Sequence, residues 1–257
     1  MPKLSIIIPT FKSAGTIQRC LDSIRVQIFT DYEIVVQDGG SSDRTTELIE
    51  QFRRENPGIK LELEQGRDKG VYDAMNKAMR RASGEWLFFL GSDDEFYNEN
   101  VLDKVLCIPE AADCDVLYGN AQIVGIAGWA EDGAIYDGPF DLSKLLTKNI
   151  CHQALFYRAA FAREIGDYNQ EYVVCADWDF NMRCWAKGQF KYVDVLVAKF
   201  HGGGNSSNAR PDPHFEADLT TNIIQYFGKG AERARRPSRF TPRRVLGALV
   251  RRLGSTR

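Results

Sequence analysis

The chain has 257 residues, 44% hydrophobic and 26% charged, with a formal net charge of −2 and six cysteines. That length gives one large domain or two small ones, with enough apolar surface for a core that needs no disulfide staples. The balanced charge gives no basis for a nucleic-acid partner, and no apolar run approaches the ~20 residues of a membrane span.

The predicted elements alternate from the start. Leu4 to Ile8 is a continuous apolar run ending at Pro9-Thr10, the pattern of a strand buried on both faces. Ser13 is placed to cap a helix in which Ile17, Cys20, Leu21 and Ile24 share one side. Glu33 to Gln37 reads as a second buried strand, stopped by Asp38-Gly39-Gly40-Ser41-Ser42. A helix is expected from about Asp43, with Leu48, Ile49 and Phe52 on its inner face, and Leu61 to Glu64 as a short strand after it. Gly70 to Ala82 carries Val71, Met75, Ala78 and Met79 at helical spacing, and Glu85 to Leu90 is a third strong strand ending at Gly91-Ser92-Asp93-Asp94. This order implies an α/β fold with a mostly parallel sheet and helices on both faces.

The second half is more mixed. Strands are expected over Asp115–Tyr118, Ala121–Ile126, Gln153–Tyr157 and Phe190–Phe200, and helices near Ala159–Ile165 and Ala176–Lys187. His201 to Pro213 reads as a glycine-rich loop. No linker stands out before about Gly228, so the expected division is a domain over 1–228 and a tail over 229–257. None of the six cysteines forms a Cys-x-x-Cys pair, and Met1 runs almost directly into a strand. Reduced, mostly buried thiols and no signal peptide fit a cytoplasmic protein.

Polar clusters follow three of the strands, where open α/β sheets bind ligands. Asp93-Asp94 at the mouth of an apolar strand would repel each other without a cation, and hard divalent ions favour oxygen ligands. A capping turn is the bland account. Asp38 and its glycines could meet a nucleoside or form a simple strand-to-helix turn. Asp73, Asn76 and Lys77 share a helix face, which a solvated face explains for the lysine but less well for the asparagine. Asp177 and Asp179 open a helix, where the anion is stabilised and a base could sit; capping accounts for one of the two.

Together, Ser5-Ile6-Ile7-Ile8-Pro9-Thr10-Phe11, Gln37 to Asp43, Asp68 to Ala78, Gly91 to Asp94 and Ala176-Asp177-Trp178-Asp179 resemble family 2 inverting glycosyltransferases of the GT-A fold, over roughly Lys3 to Ser207. The resemblance implies transfer of a sugar from a nucleoside diphosphate, UDP-sugar favoured, to an acceptor hydroxyl with Mn²⁺ or Mg²⁺ as cofactor. Pro9, Thr10, Phe11 and Asp38 would bind the nucleoside, and Asp68, Gly70, Asp73, Asn76 and Ser92 would complete the donor site. Asp93 would be the metal-binding aspartate, with Asp94 and His201 as further ligands; Gly91 replaces the first aspartate of the family's Asp-x-Asp motif. Asp177 would be the base, and His152, Trp178 and Asp179 would face the acceptor.

From Lys229 onward, ten Lys and Arg stand against the single Glu232, leaving 23 basic and 34 acidic residues before it. Val245, Leu246, Leu249, Val250 and Leu253 fall on one side of a potential helix, with Arg244 and Arg251 on the other. Such a segment suits an anionic membrane interface on the inner face of the cell membrane and a lipid-linked saccharide acceptor, as in bacterial surface-polysaccharide assembly; a helix docked on the domain fits as well. Two other functions share the α/β pattern: a sugar-phosphate nucleotidyltransferase and a non-catalytic nucleotide-sugar-binding module. The first usually has a glycine-rich loop after its first strand, where this chain has only Gly15.

Overall fold

The computed structural model describes residues 1–125, 127–203 and 211–234. Three parallel strands, β1 (Leu4–Thr10), β2 (Tyr32–Asp38) and β3 (Lys60–Gln65), are linked by α1 (Ile17–Arg25) and α2 (Thr45–Glu55). Then come α3 (Val71–Arg81), β4 (Trp86–Phe89), β5 (Glu95–Phe96) and α4 (Val101–Leu106). The second half holds β6 (Val116–Val124), β7 (Ile135–Tyr136), α5 (Leu142–Leu145), β8 (Leu155–Arg158), α6 (Ala159–Ile165), α7 (Ala176–Lys187), β9 (Phe190–His201) and α8 (Pro213–Phe227).

The strands form one sheet in the order β3-β2-β1-β4-β8-β6-β9-β5, with β7 paired to β6. Its first four strands are parallel; β8 then runs antiparallel to both β4 and β6. This reversal places the N-terminal end of β8 beside the C-terminal ends of β1, β2 and β4. The segment leading into β8 therefore faces the same rim as the polar clusters.

Because side chains alternate along a strand, the sheet separates two cores. Ile6, Ile8, Ile34, Val36 and Phe88 pack under α1, α2 and α4. Ile7, Val35, Leu87 and Phe89 point the other way, under α3, α6, α7 and α8. Burying each such side chain contributes about 1.5–3 kcal/mol. That two-sided burial is why the central strands read as mostly apolar runs rather than as alternating ones.

Several local expectations change. Ser13 does not cap α1 through its side chain: its carbonyl accepts from the Thr16 and Ile17 N–H groups, and its hydroxyl meets Ser92 Oγ at 2.7 Å. The two strands expected over 115–126 are the single strand β6, with a register shift against β9 at Gly119-Asn120 that interrupts the alternation. The strand expected from Gln153 begins only at Leu155, because His152–Ala154 is a 3-10 turn. Of the basic tail, 229–234 carries a 3-10 turn (Ala231–Ala234) that lies against the domain, with Ser143 Oγ donating to the Ala234 carbonyl at 2.8 Å. The amphipathic segment over 243–253 lies outside the described residues, as does 204–210 of the glycine-rich loop. No helix among the described residues is long and apolar enough to cross a membrane.

Candidate active site

The rim is built from four stretches of chain. The first is the end of β1 with the β2 and β3 loops. Phe11 is 58% exposed, a large aromatic face held open beside Gly39. A side chain at Gly39 would begin 3.3 Å from the Phe11 ring and 3.4 Å from Asp68 Oδ2, so the glycine keeps that space clear. The Asp68 side chain is only 6% exposed. Its Oδ1 takes Lys77 Nζ at 2.6 Å and Gln37 Nε2 at 3.3 Å, while Oδ2 has no partner. Thr10 Oγ1 is a second buried polar atom without a partner. An unpartnered buried carboxylate oxygen costs free energy unless a ligand supplies the missing donor.

Asp73 supports this arrangement from behind. It accepts the Lys69 N–H at 3.0 Å and pairs with Lys77 at 3.0 Å, which fixes the ammonium on Asp68. Gly70, at φ 149°, turns the chain from that loop into α3. Asp38 organises its own loop. Its oxygens accept from Gly40 N at 3.0 Å, Ser41 N at 2.8 Å and the Ser41 hydroxyl at 2.5 Å.

The second stretch follows β4. Asp94 is 2% exposed, and burial, with the charge of Asp93 next, pushes its carboxyl well above the usual range. A methyl group on Gly91 would lie 2.6 Å from Asp94 Oδ2 and 2.9 Å from Asp93 Oδ1. The two carboxylates thus converge on space that only glycine leaves free. Two hard oxygen donors of this kind fit Mg²⁺ or Mn²⁺, which commonly take their remaining ligands from phosphate and water. No group of three or more His, Cys, Asp or Glu side chains is gathered to hold a metal among the described residues. His201 accordingly differs from the expected ligand. Its ring Nε2 faces Glu95 Oε1 at 3.1 Å, and it reaches the acidic pair through its backbone N–H, which donates to Asp94 Oδ1 at 2.8 Å.

The third stretch is the start of α7. Asp177 is half-buried, and burial raises its carboxyl to about 6 despite the hydrogen bonds that favour the carboxylate. Oδ1 accepts the Trp178 N–H at 2.9 Å and lies 3.2 Å from the Tyr72 hydroxyl; Oδ2 accepts Asn149 Nδ2 at 3.0 Å. The Tyr72 proton points to the nearer Val174 carbonyl, at 2.5 Å.

The fourth stretch, Asn149 to Ala154, joins the second and third. Besides burial, the charges of both Asp94 and Asp177 raise the Cys151 thiol, so this residue lies within electrostatic reach of both acidic centres. Gln153 lies beside Asp94 and favours its ionised form.

Four residues expected to touch substrate have other work. Asn76 is fully buried, with Nδ2 donating to the Tyr168 carbonyl at 3.0 Å and Oδ1 accepting the Tyr168 N–H at 2.8 Å. Its amide is used up by the backbone and offers a nucleotide nothing. His152 is buried, bonded to the Tyr168 hydroxyl at 3.0 Å and packed on Phe89; burial lowers its pKa to about 4. Trp178 donates its indole N–H to Leu145 O at 2.7 Å and packs on Phe215. Asp179 is 3% exposed and ties helices together, taking Arg183 at 2.9 Å, the Tyr226 hydroxyl at 2.9 Å and Asn222 at 3.3 Å. Asp212, at the start of α8, adds a further tie by accepting the Val174 and Cys175 N–H groups at 2.8 and 3.0 Å. Asn149 and Tyr72 were not singled out by the sequence, though Tyr72 lies inside a recognised motif; Gln153 drew notice only as the neighbour of His152.

With this geometry in place, comparison with known proteins decides the family. The family model described as "Glycosyl transferase family 2" matches residues 5–165. The chain belongs to glycosyl transferase family 2. This glycosyltransferase is 42% identical over 218 residues to a PGL/p-HBAD biosynthesis glycosyltransferase of Mycobacterium bovis (strain BCG / Pasteur 1173P2), covering 83% of this chain and 82% of that one. A shorter match, 39% identical over 95 residues, covers 37% of this chain and 31% of the GalNAc(5)-diNAcBac-PP-undecaprenol beta-1,3-glucosyltransferase of Campylobacter jejuni. Among solved structures, S. aureus TarS 1–349 in complex with UDP-GlcNAc superposes with a TM-score of 0.75 at 22% identity, over 90% of this chain and 70% of that one. At that identity the likeness speaks for the fold alone, and the fold is GT-A.

Proposed function

We propose that this glycosyltransferase moves a sugar from a UDP-sugar to an acceptor hydroxyl with inversion, using Asp177 as base. The observation that carries the reading is the half-buried Asp177 carboxyl, raised to about 6, on the same rim as the converging Asp93–Asp94 pair. A base is most useful when its pKa approaches the working pH. In the proposed reaction Asp177 takes the proton from the acceptor oxygen as that oxygen attacks the anomeric carbon. The bond to the diphosphate breaks on the opposite face, and no covalent sugar–enzyme intermediate is needed. A Mg²⁺ or Mn²⁺ ion on Asp93 and Asp94 would neutralise charge on the departing diphosphate.

The choice of uracil rests on Asp68. A single free acceptor beside an exposed aromatic face suits a flat base with one ring N–H, stacked on Phe11. The TarS complex with UDP-GlcNAc points the same way. Replacing Asp68 with Ala should weaken UDP binding about 10- to 100-fold, the worth of a hydrogen bond to a charged group. Calorimetry reads this directly, and an unchanged affinity would remove Asp68 from the base pocket.

For the acceptor we favour a lipid-linked or glycolipid saccharide in bacterial surface-glycan assembly. The names of the mycobacterial and Campylobacter relatives support this. So does the basic segment from Lys229, whose composition suits an anionic membrane surface. All six cysteines are free thiols, which agrees with a cytoplasmic setting.

The test is a panel of nucleotide sugars incubated with the full chain and Mn²⁺. Release of UDP from at least one UDP-sugar is expected. Diphosphate release from none of them, together with consumption of a nucleoside triphosphate and a sugar phosphate, would establish the nucleotidyltransferase reading instead.

A further inference from the structure

We infer that Tyr157 and Asn181 are positioning residues for Asp177, acting through Asn149; the inference rests on the reading of Asp177 as base. Three hydrogen bonds run in series from the core to the carboxylate. The Tyr157 hydroxyl donates to Asn181 Oδ1 at 2.7 Å, Asn181 Nδ2 donates to Asn149 Oδ1 at 2.8 Å, and Asn149 Nδ2 donates to Asp177 Oδ2 at 3.0 Å. The residues come from β8, from α7 one turn beyond Asp177, and from the segment before β8. Tyr157 and Asn181 are fully buried.

The direction of the series is set at its carboxylate end. An ionised carboxylate only accepts, so Asn149 must present its NH₂ to Asp177. Its carbonyl oxygen then requires a donor, which is the Asn181 NH₂. The Asn181 carbonyl in turn requires a donor, which is the Tyr157 hydroxyl. Without that hydroxyl both amides are free to rotate by half a turn. Asn149 can then turn its carbonyl oxygen toward Asp177, a contact tolerated only by the protonated acid. Each bond in such a series also polarises the next in a low-dielectric interior.

The titratable groups facing Asp177 are Tyr72 from α3, Cys175 from its own turn, Tyr136 and Cys151 from the β7–β8 segment, and Tyr157 and Tyr168. All are neutral at pH 7. The charged form of the base is therefore held by neutral donors, and their orientation decides when it ionises.

The experiment compares wild type, Tyr157→Phe, Asn181→Leu and Asp177→Asn as full chains. Each is assayed across pH 4.5–9 for UDP release from UDP-GlcNAc, UDP-glucose and UDP-galactose, with Mn²⁺ present and water as acceptor. Tyr157→Phe removes one oxygen and keeps the ring in the core; Asn181→Leu tests the same link one step nearer, with a thermal melt to confirm folding. The expected result for both is a fall in kcat of about tenfold at pH 7, an acid limb moved up by about one pH unit, and a donor KM within about twofold of wild type. An unchanged acid limb in Tyr157→Phe overturns the inference, whether or not kcat falls, because loosened packing alone would not move it. If Asp177→Asn kept wild-type turnover, the base assignment itself would fail. An inactive Asp177→Asn beside an unshifted Tyr157→Phe would remove only the relay.

Discussion

Asp177→Asn should lower kcat by about 10²- to 10⁴-fold, the range that general-base catalysis supplies. The side chain keeps its size, and Asp177 lies on α7 rather than among the residues around Phe11, Gly39 and Asp68. UDP affinity should therefore stay within about twofold of wild type. The accompanying pH dependence has a definite sign. Burial raises the Asp177 carboxyl from its ordinary 3.8 to about 6, and a general base must be ionised to act. Turnover should thus fall about tenfold per unit as pH drops below about 6. An ordinary exposed aspartate would hold its activity down to about pH 4. A pH–rate profile of the wild-type chain separates the two, and a limb near 4 would mean that the carboxylate is well solvated when it works.

Chelation of divalent ions should cost still more. The Asp93–Asp94 pair has carboxylate oxygens turned to one point over Gly91, and the guanidinium of Arg19 donates to the backbone carbonyl of Asp93. Burial holds Asp94 toward its protonated form, so a dication must displace a proton to bind there. Two results follow. Treatment with a chelator should reduce transfer by at least about 10³-fold, with recovery on adding Mn²⁺ or Mg²⁺, because charge on the diphosphate would be left unopposed. Mn²⁺ affinity should also rise with pH through the range in which Asp94 titrates. Asp94→Asn keeps an oxygen for the His201 N–H and should reproduce the chelated enzyme. Full turnover after exhaustive chelation would show that the pair has a different role.

The parts of this molecule visible in the sequence are those where one segment settles its own fate. Leu4–Ile8, Glu33–Gln37 and Trp86–Phe89 are buried on both faces, a demand met by mostly apolar runs in which the buried Ser5 and Glu33 satisfy each other. The polar clusters after β1, β2 and β4 were legible for a related reason: the sheet's direction brings their ends to one rim. What escaped were choices settled by distant contacts. In His152-Gln153 the histidine drew notice, but a 3-10 turn sends His152 into the core and leaves Gln153 to meet Asp94. Asn76 sat in a persuasive motif, yet Tyr168, 92 residues away, takes both ends of its amide. Asn149 and Asn181 each look like ordinary polar residues until β8 and α7 bring them together.

The ties from Asp179 and Asp212 to α8 mean that the proposed base is braced by a helix added late in the chain. The match to the family model ends at position 165, so a fragment cut at that boundary would keep Phe11, Gly39, Asp68 and the acidic pair yet lose Asp177 altogether. One cut after α7 would retain the aspartate but not the Tyr226, Asn222 and Asp212 anchors that seat it. For anyone trimming this enzyme, the smallest unit expected to be competent reaches at least to the end of α8, well past the stretch that the family model covers.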